Sequence, residues 1–203
     1  VTSEYRWGTG TLKVNGSTFS GNFAVKNGGA LHKDSHGSLT IENCSFITKS
    51  DTVYSLGSAF TLGGTITTAA EIYSDSAITI QSETQMILDI RGYTSRELKN
   101  GLLLNYNVAF APQQQNMTIS VRANLQTLQN GKYVLASGIG DAGFVSSVAV
   151  TASTPADKLF DIDVGGSTTY NGQTFTLTAE NGNLALQVSG GFDALYARPV
   201  RAL

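Results

Sequence analysis

The residues richest in potential chemistry are His32, Asp34 and His36, in the run His32-Lys33-Asp34-Ser35-His36. On a helix, histidines four apart share a face and can ligate a metal, with Asp34 as a third donor. Here the run follows Gly28-Gly29 and precedes a strand-like segment, a context that favours a solvated turn. With two histidines and one cysteine in the whole chain, no second ligand set can be assembled, and no metal or other cofactor is expected. Cys44 lies in an alternating stretch that suits a small buried hydrophobe better than an activated nucleophile. A single thiol also rules out an intrachain disulfide.

Other motifs weaken on inspection. Gly138-Ile139-Gly140-Asp141-Ala142-Gly143 matches G-x-G-x-x-G, but Phe144 to Val150 is β-prone where phosphate capture needs a helix N-terminus. A flexible turn is expected there. Asp161 and Asp163 should project from one strand face, as the paired carboxylates of a hydrolase would. The same alternation sends Phe160, Ile162 and Val164 inward and leaves the two acids in water. Asn15-Gly16-Ser17 and Asn116-Met117-Thr118 match glycosylation sequons, a motif too common to establish modification. No catalytic residue is assigned, and the chain is read as non-catalytic.

Composition narrows the classes further. Charged residues make up 14% of the 203 positions, against a usual value of about 25%, so the surface must be built from neutral polar groups. No stretch carries apolar residues at a helical period with helix-forming residues between them, so very little helix is expected. Thirteen basic and 15 acidic residues give a net charge of -2 without a basic run, which argues against nucleic acid. The apolar stretches Gly101 to Leu104 and Val145 to Val150 are far shorter than the roughly 20 residues of a spanning helix. There is also no series of ten-residue alternating strands with aromatic girdles, so no membrane insertion of this segment is expected. Val1 and Leu203 interrupt structured-looking sequence, as in a processed product or a piece of a longer chain.

The elements that would position any site come from an internal repeat. Gly10 to Phe19 aligns with Gly37 to Phe46, matching apolar residues at 12/39, 14/41 and 19/46, a spacing of 27. Each copy runs into a small-residue motif, Gly28-Gly29-Ala30-Leu31 in the first and Gly57-Ser58-Ala59-Phe60 in the second. A looser third copy runs from Gly64 through Ile78-Thr79-Ile80 to Met86-Ile87-Leu88. Repeats of this length imply a solenoid, since one unit cannot bury its apolar face until others stack on it. Short alternating pairs such as Leu12/Val14 and Leu39/Ile41 select strands rather than helices. The leucine pattern is too sparse for leucine-rich repeats. The expected fold is all-β, a right-handed parallel β-helix (solenoid) of about 27-residue coils over residues 1–100.

Beyond residue 100 hairpin signals take over. Phe175 to Val188 holds two alternating strands around Asn181-Gly182, a dipeptide suited to a two-residue type I′ turn. Asn130-Gly131 and Asn171-Gly172 are weaker cases. Residues 101–203 are therefore expected to hold the terminal coils and an antiparallel, hairpin-rich cap that covers the last exposed strand edges.

Phe19-Ser20-Gly21-Asn22 followed by Gly28-Gly29-Ala30-Leu31 resembles the paired F-x-x-N and G-G-A-[ILV] motifs of polymorphic outer-membrane-protein repeats in autotransporter passenger β-helices. The second copy keeps Phe46, Gly57 and Ala59 but lacks the Asn and the second Gly. Leu128 to Ser137 and the later hairpin are similar to passenger regions just before a membrane barrel. The resemblance implies Phe19 in the core and Asn22 bonded to backbone at a corner or stacked on another Asn, with the glycines allowing a bend. It implies a secreted protein or one on the cell surface of a Gram-negative bacterium, acting as an adhesin or structural spacer. A host-cell protein or glycan is then the expected partner, with self-association through a helix end as a further contact. The competing reading is a carbohydrate-active β-helix enzyme, a polysaccharide lyase or hydrolase. Tyr5, Trp7, Tyr54 and Tyr73 could stack on sugar or shield a terminus or corner.

Overall fold

The computed structural model describes residues 10–57, 59–105, 117–138, 145–152 and 157–190. Tyr5, Trp7, Ser58, Asn116 and most of the Gly138–Gly143 motif lie outside the described residues. The described chain is all-β, and no α-helix occurs in it.

The strands visit three sheets in rotation. A first round contributes β1 (Thr11–Asn15), β2 (Thr18–Phe19) and β3 (Leu31–Lys33), one to each sheet. A second contributes β4 (Ser38–Glu42), β5 (Ser45–Phe46) and β6 (Val53–Ser55), and a third β7 (Phe60–Gly63), β8 (Thr65–Thr68) and β9 (Ile72–Ser74). A fourth contributes β10 (Ile78–Ile80), β11 (Gln85–Asp89) and β12 (Leu103–Asn105). Then β13 (Thr118–Arg122) and β15 (Ser147–Thr151) extend the second sheet, and β14 (Gly131–Ser137) extends the third. Within each sheet these strands pair with one another in parallel.

Period-two alternation fixes which side chains face inward. In β4, Leu39 and Ile41 are fully buried while Ser38, Thr40 and Glu42 are not. Register then lines equivalent residues into columns. Leu12 partners Leu39, Leu39 partners Phe60, and Phe60 partners Ile78. In the second sheet a column runs Phe46, Thr68, Leu88, Val121, Val150, and in the third Leu31, Val53, Ile72, Leu103, Ala136. Each fully buried aliphatic or aromatic side chain in such a column contributes about 1.5–3 kcal/mol of transfer free energy. Leu12 and Val14, on the end strand of the first sheet, are only partly buried because nothing described pairs with their other side.

The three residue pairs aligned at a spacing of 27 are direct partners: Leu12 with Leu39, Val14 with Ile41, and Phe19 with Phe46. That spacing does not persist. Phe60 and Leu62 form a rung of the first sheet only 21 residues after Leu39 and Ile41. The equivalence of Gly28–Leu31 with Gly57–Phe60 is also overturned. Leu31 partners Val53 in the third sheet, while Phe60 partners Leu39 in the first. Ladder packing fixes the register of the strands, but the corner segments between them are free to shorten, so a fixed period loses the true partners.

At the far end the pairing turns antiparallel. Strand β16 (Lys158–Asp163) returns along β15, and β17 (Ser167–Tyr170), β18 (Gln173–Glu180) and β19 (Asn183–Gly190) form a meander joined to β14. Asn181 (φ 51°) and Gly182 (φ 72°) make the two-residue turn between β18 and β19, both in the left-handed region a type I′ turn requires. Asn171-Gly172 makes the same kind of turn between β17 and β18. The hairpin expected at Asn130-Gly131 does not form. Leu125–Thr127 is a turn, and Gly131 opens β14, which pairs instead with β12 and β19. Phe160 packs against Tyr170 and Phe175 at ring distances of 5.2 and 5.0 Å, tying β16 to the meander.

Candidate ligand groove

The motif residues of the first repeat form one structural unit. Phe19 stacks flat on Phe46, with ring centres 5.1 Å apart and an angle of 4° between planes. Asn22 bonds neither to a corner carbonyl nor to another Asn. It donates from its backbone nitrogen and its side-chain Nδ2 to one oxygen of Asp51, at 2.7 and 2.9 Å. Asp51 is fully buried, and its second oxygen accepts from the Thr48 backbone nitrogen and hydroxyl, at 2.8 and 2.7 Å. Ala30 and Leu31 enter the core, while a Cβ on Gly29 would overlap the Ser50 carbonyl oxygen. Gly57 instead lies over the backbone of Ser35 and donates to Asp75 at 2.7 Å, and Ala59 has a left-handed φ of 67°.

The histidine run is not one solvated turn. His32 and Lys33 belong to β3, and only the segment after them turns. Lys33 points inward and is 6% exposed, with its Nζ donating to the Asp34 and Leu56 carbonyls at 3.0 and 2.6 Å. Desolvation lowers its pKa, against the opposing charges of Asp34 and Asp75. It heads a polar column with Ser55 and Ser74. His32 faces the other way, edge-on to Tyr54, which stacks on Tyr73 with ring centres 4.4 Å apart. Tyr54 and Tyr73 thus turn one face of each ring toward the other along the sheet. Among the described residues no three His, Cys, Asp or Glu side chains gather as a metal site would need.

Asp161 is exposed and paired with Lys158 at 2.8 Å, Asp163 is exposed, and Ile162 between them is buried. Cys44 is 1% exposed, with its thiol directed at the Glu42 and Val14 carbonyls, 3.1 and 3.7 Å away.

The described residues also form a groove that sequence reasoning missed. It begins where Ile47–Lys49 leaves β5 and passes Ala69 after β8, Arg91 after β11 and Asn124 after β13, and it ends beside Ala152 and Tyr170. Two adjoining depressions of about 440 Å³ each make it up, and both are lined by Arg91 and Asn124. Its walls come mainly from the segments that follow the parallel strands of the second sheet, with Leu159 of β16 and Tyr170 of β17 at one end.

Charge along the groove is ordered. Arg91 makes a two-point contact with Asp89, at 2.9 Å from Nε and 2.6 Å from Nη2, and Arg122 reaches the same carboxylate at 3.5 Å. Two guanidinium groups thus share one carboxylate, and the buried Arg122 Nε has no hydrogen-bond acceptor among the described residues. Lys49 sits 4.2 Å above the centre of the Tyr93 ring and 2.9 Å from Glu97. The Thr94 backbone nitrogen, with Lys49 and the Thr94 hydroxyl, holds the Glu97 pKa down at about 2. Burial, and the nearby charges of Glu71, Glu97 and Asp89, push the Tyr93 hydroxyl well above the usual phenol range, and it donates to the Ala69 carbonyl at 2.6 Å. No signal for the groove was available from the chain, because its residues lie from position 47 to 171 and only the stacking of rounds brings them together. Compared with known proteins, the chain matches no family model, no curated protein and no solved structure.

Proposed function

We propose that the chain is a right-handed parallel β-helix that serves as a non-catalytic passenger segment of a Gram-negative surface or secreted protein, acting in adhesion or as a rigid spacer. The observation that carries this reading is the column Leu12, Leu39, Phe60, Ile78, in which four successive rounds stack on one sheet in register. Strands that return to the same sheet once per round are what a solenoid requires, and right-handed connections are the general rule for parallel strands. The antiparallel strands β16 to β19 support a capping role, since they pair with edges of the second and third sheets that would otherwise be open. The surface role rests on the F-x-x-N and G-G-A-L motifs, whose residues build the Asn22–Asp51 and Gly29–Ser50 contacts between rounds.

The test is binding without turnover. Purified chain is expected to bind host cells or immobilised glycans, with a small-angle scattering profile of an elongated particle. Release of unsaturated or reducing sugar ends, abolished by Asp161→Ala or Asp163→Ala, would replace this reading with the carbohydrate-active enzyme. A compact scattering profile would remove the β-helix.

A further inference from the structure

We propose that the corner loop of the first round, residues 23–28, is a contact for the surface of a lipid bilayer, with Phe23 and Val25 entering the boundary between headgroups and acyl chains. Such a contact holds whether the chain is an adhesin, a spacer or an enzyme.

Among the described residues three large apolar side chains are exposed, Phe23 at 78%, Val25 at 92% and Ile47 at 50%. All three belong to one corner, where residues 20–30 lead from β2 to β3 and residues 47–52 lead from β5 to β6. The Ile47 backbone nitrogen donates to the Phe19 carbonyl, and the Gly21 nitrogen donates to the Thr48 hydroxyl, so the two segments lie side by side. Clustering of this kind marks an interaction surface, whereas exposed apolar residues scattered singly need no explanation.

The loop is clamped at both ends. At its start Asn22 is bound to the buried Asp51 by two hydrogen bonds. At its end the Gly29 nitrogen donates to the Thr52 hydroxyl at 2.8 Å and the Ala30 nitrogen to the Thr52 carbonyl at 3.0 Å. Ala24 is half-buried between two exposed neighbours, an alternation that sets Phe23 and Val25 on the outward side. Held in this way, the tip loses little freedom on binding, which favours a contact made through a few side chains.

Area selects the partner. Phe23, Val25 and Ile47 together offer roughly 400 Å², well below the roughly 800 Å² per partner of a stable protein interface. A bilayer asks for no matching surface, so a projecting apolar tip is enough. Lys26 is exposed beside Val25 and can keep its ammonium among the headgroups while its stem lies along the apolar boundary. Net charge plays little part. On the same corner Lys49 is paired with Glu97 and Arg91 with Asp89, Lys26 and Glu71 are of opposite sign, and Asp51 has no exposed surface. The contact is with one leaflet, and no helix among the described residues is long and apolar enough to cross a membrane.

Flotation of the intact chain with phosphatidylcholine vesicles tests the loop. Partition is expected at millimolar lipid, weaker than a single myristoyl chain would give, and should change by less than about twofold when salt is raised. Phe23→Ser combined with Val25→Ser should lower it at least about tenfold, and Lys13→Ala, on the first sheet, should not. A second reading comes from Asn27→Cys carrying an environment-sensitive dye, because Cys44 is buried and leaves one accessible thiol. Its emission should shift to the blue with vesicles, and that of Thr79→Cys, on the first sheet, should stay fixed. No partition by the folded chain, equal partition of the double variant, an unshifted dye at position 27, or release by salt would overturn the proposal. A dimer that forms without lipid and is lost in the double variant would overturn it too, and would assign the loop to a second copy.

Discussion

Asn22 holds Asp51 of the next round by two hydrogen bonds to a single carboxylate oxygen, one from its backbone and one from its side chain. Asp51 has no exposed surface, so its charge survives only because Asn22 and Thr48 together supply four donors.

The pH dependence of stability follows from that arrangement. Burial acts to raise the Asp51 pKa, but the Thr48 hydroxyl and the backbone and side-chain donors of Asn22 and Thr48 outweigh it, and the net direction is down. A carboxyl depressed on folding adds stability above its unfolded value of about 3.9, and that stability is lost as pH falls through the lower folded value. Melting temperature measured from pH 6 to pH 2 should therefore drop below about pH 4, and Asp51→Asn should lack that component. Asn22→Ala, which removes one donor to a charged acceptor, is expected to cost about 2 kcal/mol in urea unfolding.

Gly29 separates crowding from backbone strain. A Cβ there would overlap the Ser50 carbonyl oxygen, and neither backbone can yield without shifting a round, so Gly29→Ala should cost about 2–3 kcal/mol. Gly21 has a φ of 72° and open space around it, so Gly21→Ala should cost only about 1 kcal/mol. Equal losses in chemical denaturation would mean that the close approach at Gly29 does not exist.

The column in the first sheet makes a graded prediction. Leu39 is fully buried between Leu12 and Phe60, so Leu39→Ala should cost about 3–5 kcal/mol. Leu12, on the end strand and half-buried, should cost less than half as much. The ratio of the two losses in equilibrium unfolding reads directly on whether the rungs stack.

Cys44 should be silent to thiol reagents in the native state. Its side chain is buried under the first and second rounds, so labelling by a disulfide reagent is expected only at the rate of local opening and to become immediate in denaturant. Fast native labelling would place Cys44 at the surface.

At the other end, Gly182 sits at the second position of the β18–β19 turn with a φ of 72°. Gly182→Val should cost about 1–2 kcal/mol through the left-handed backbone alone. The loss should appear as earlier hydrogen exchange in β18 and β19, ahead of β4.

The sequence alone determined what depends on neighbours along the chain. Alternation at Leu39-Thr40-Ile41 marked a strand with one buried face, and the Asn-Gly pairs at 171 and 181 marked turns, because both are decided by the local backbone. The first two rounds could be aligned because their corner segments happen to leave 27 residues between partners. Tertiary structure decided the rest. Phe60 was separated from its true partner Leu39 by a shorter corner, Asn130-Gly131 was drawn into β14 by pairing with β19, and Lys33 was turned inward with its ammonium capped by the Asp34 and Leu56 carbonyls. The Asn22–Asp51 pair and the groove around Arg91 belong to this second class. Each joins residues from different rounds, and which residues meet is set by how the rounds stack, a property of packed side chains that no short window of sequence contains.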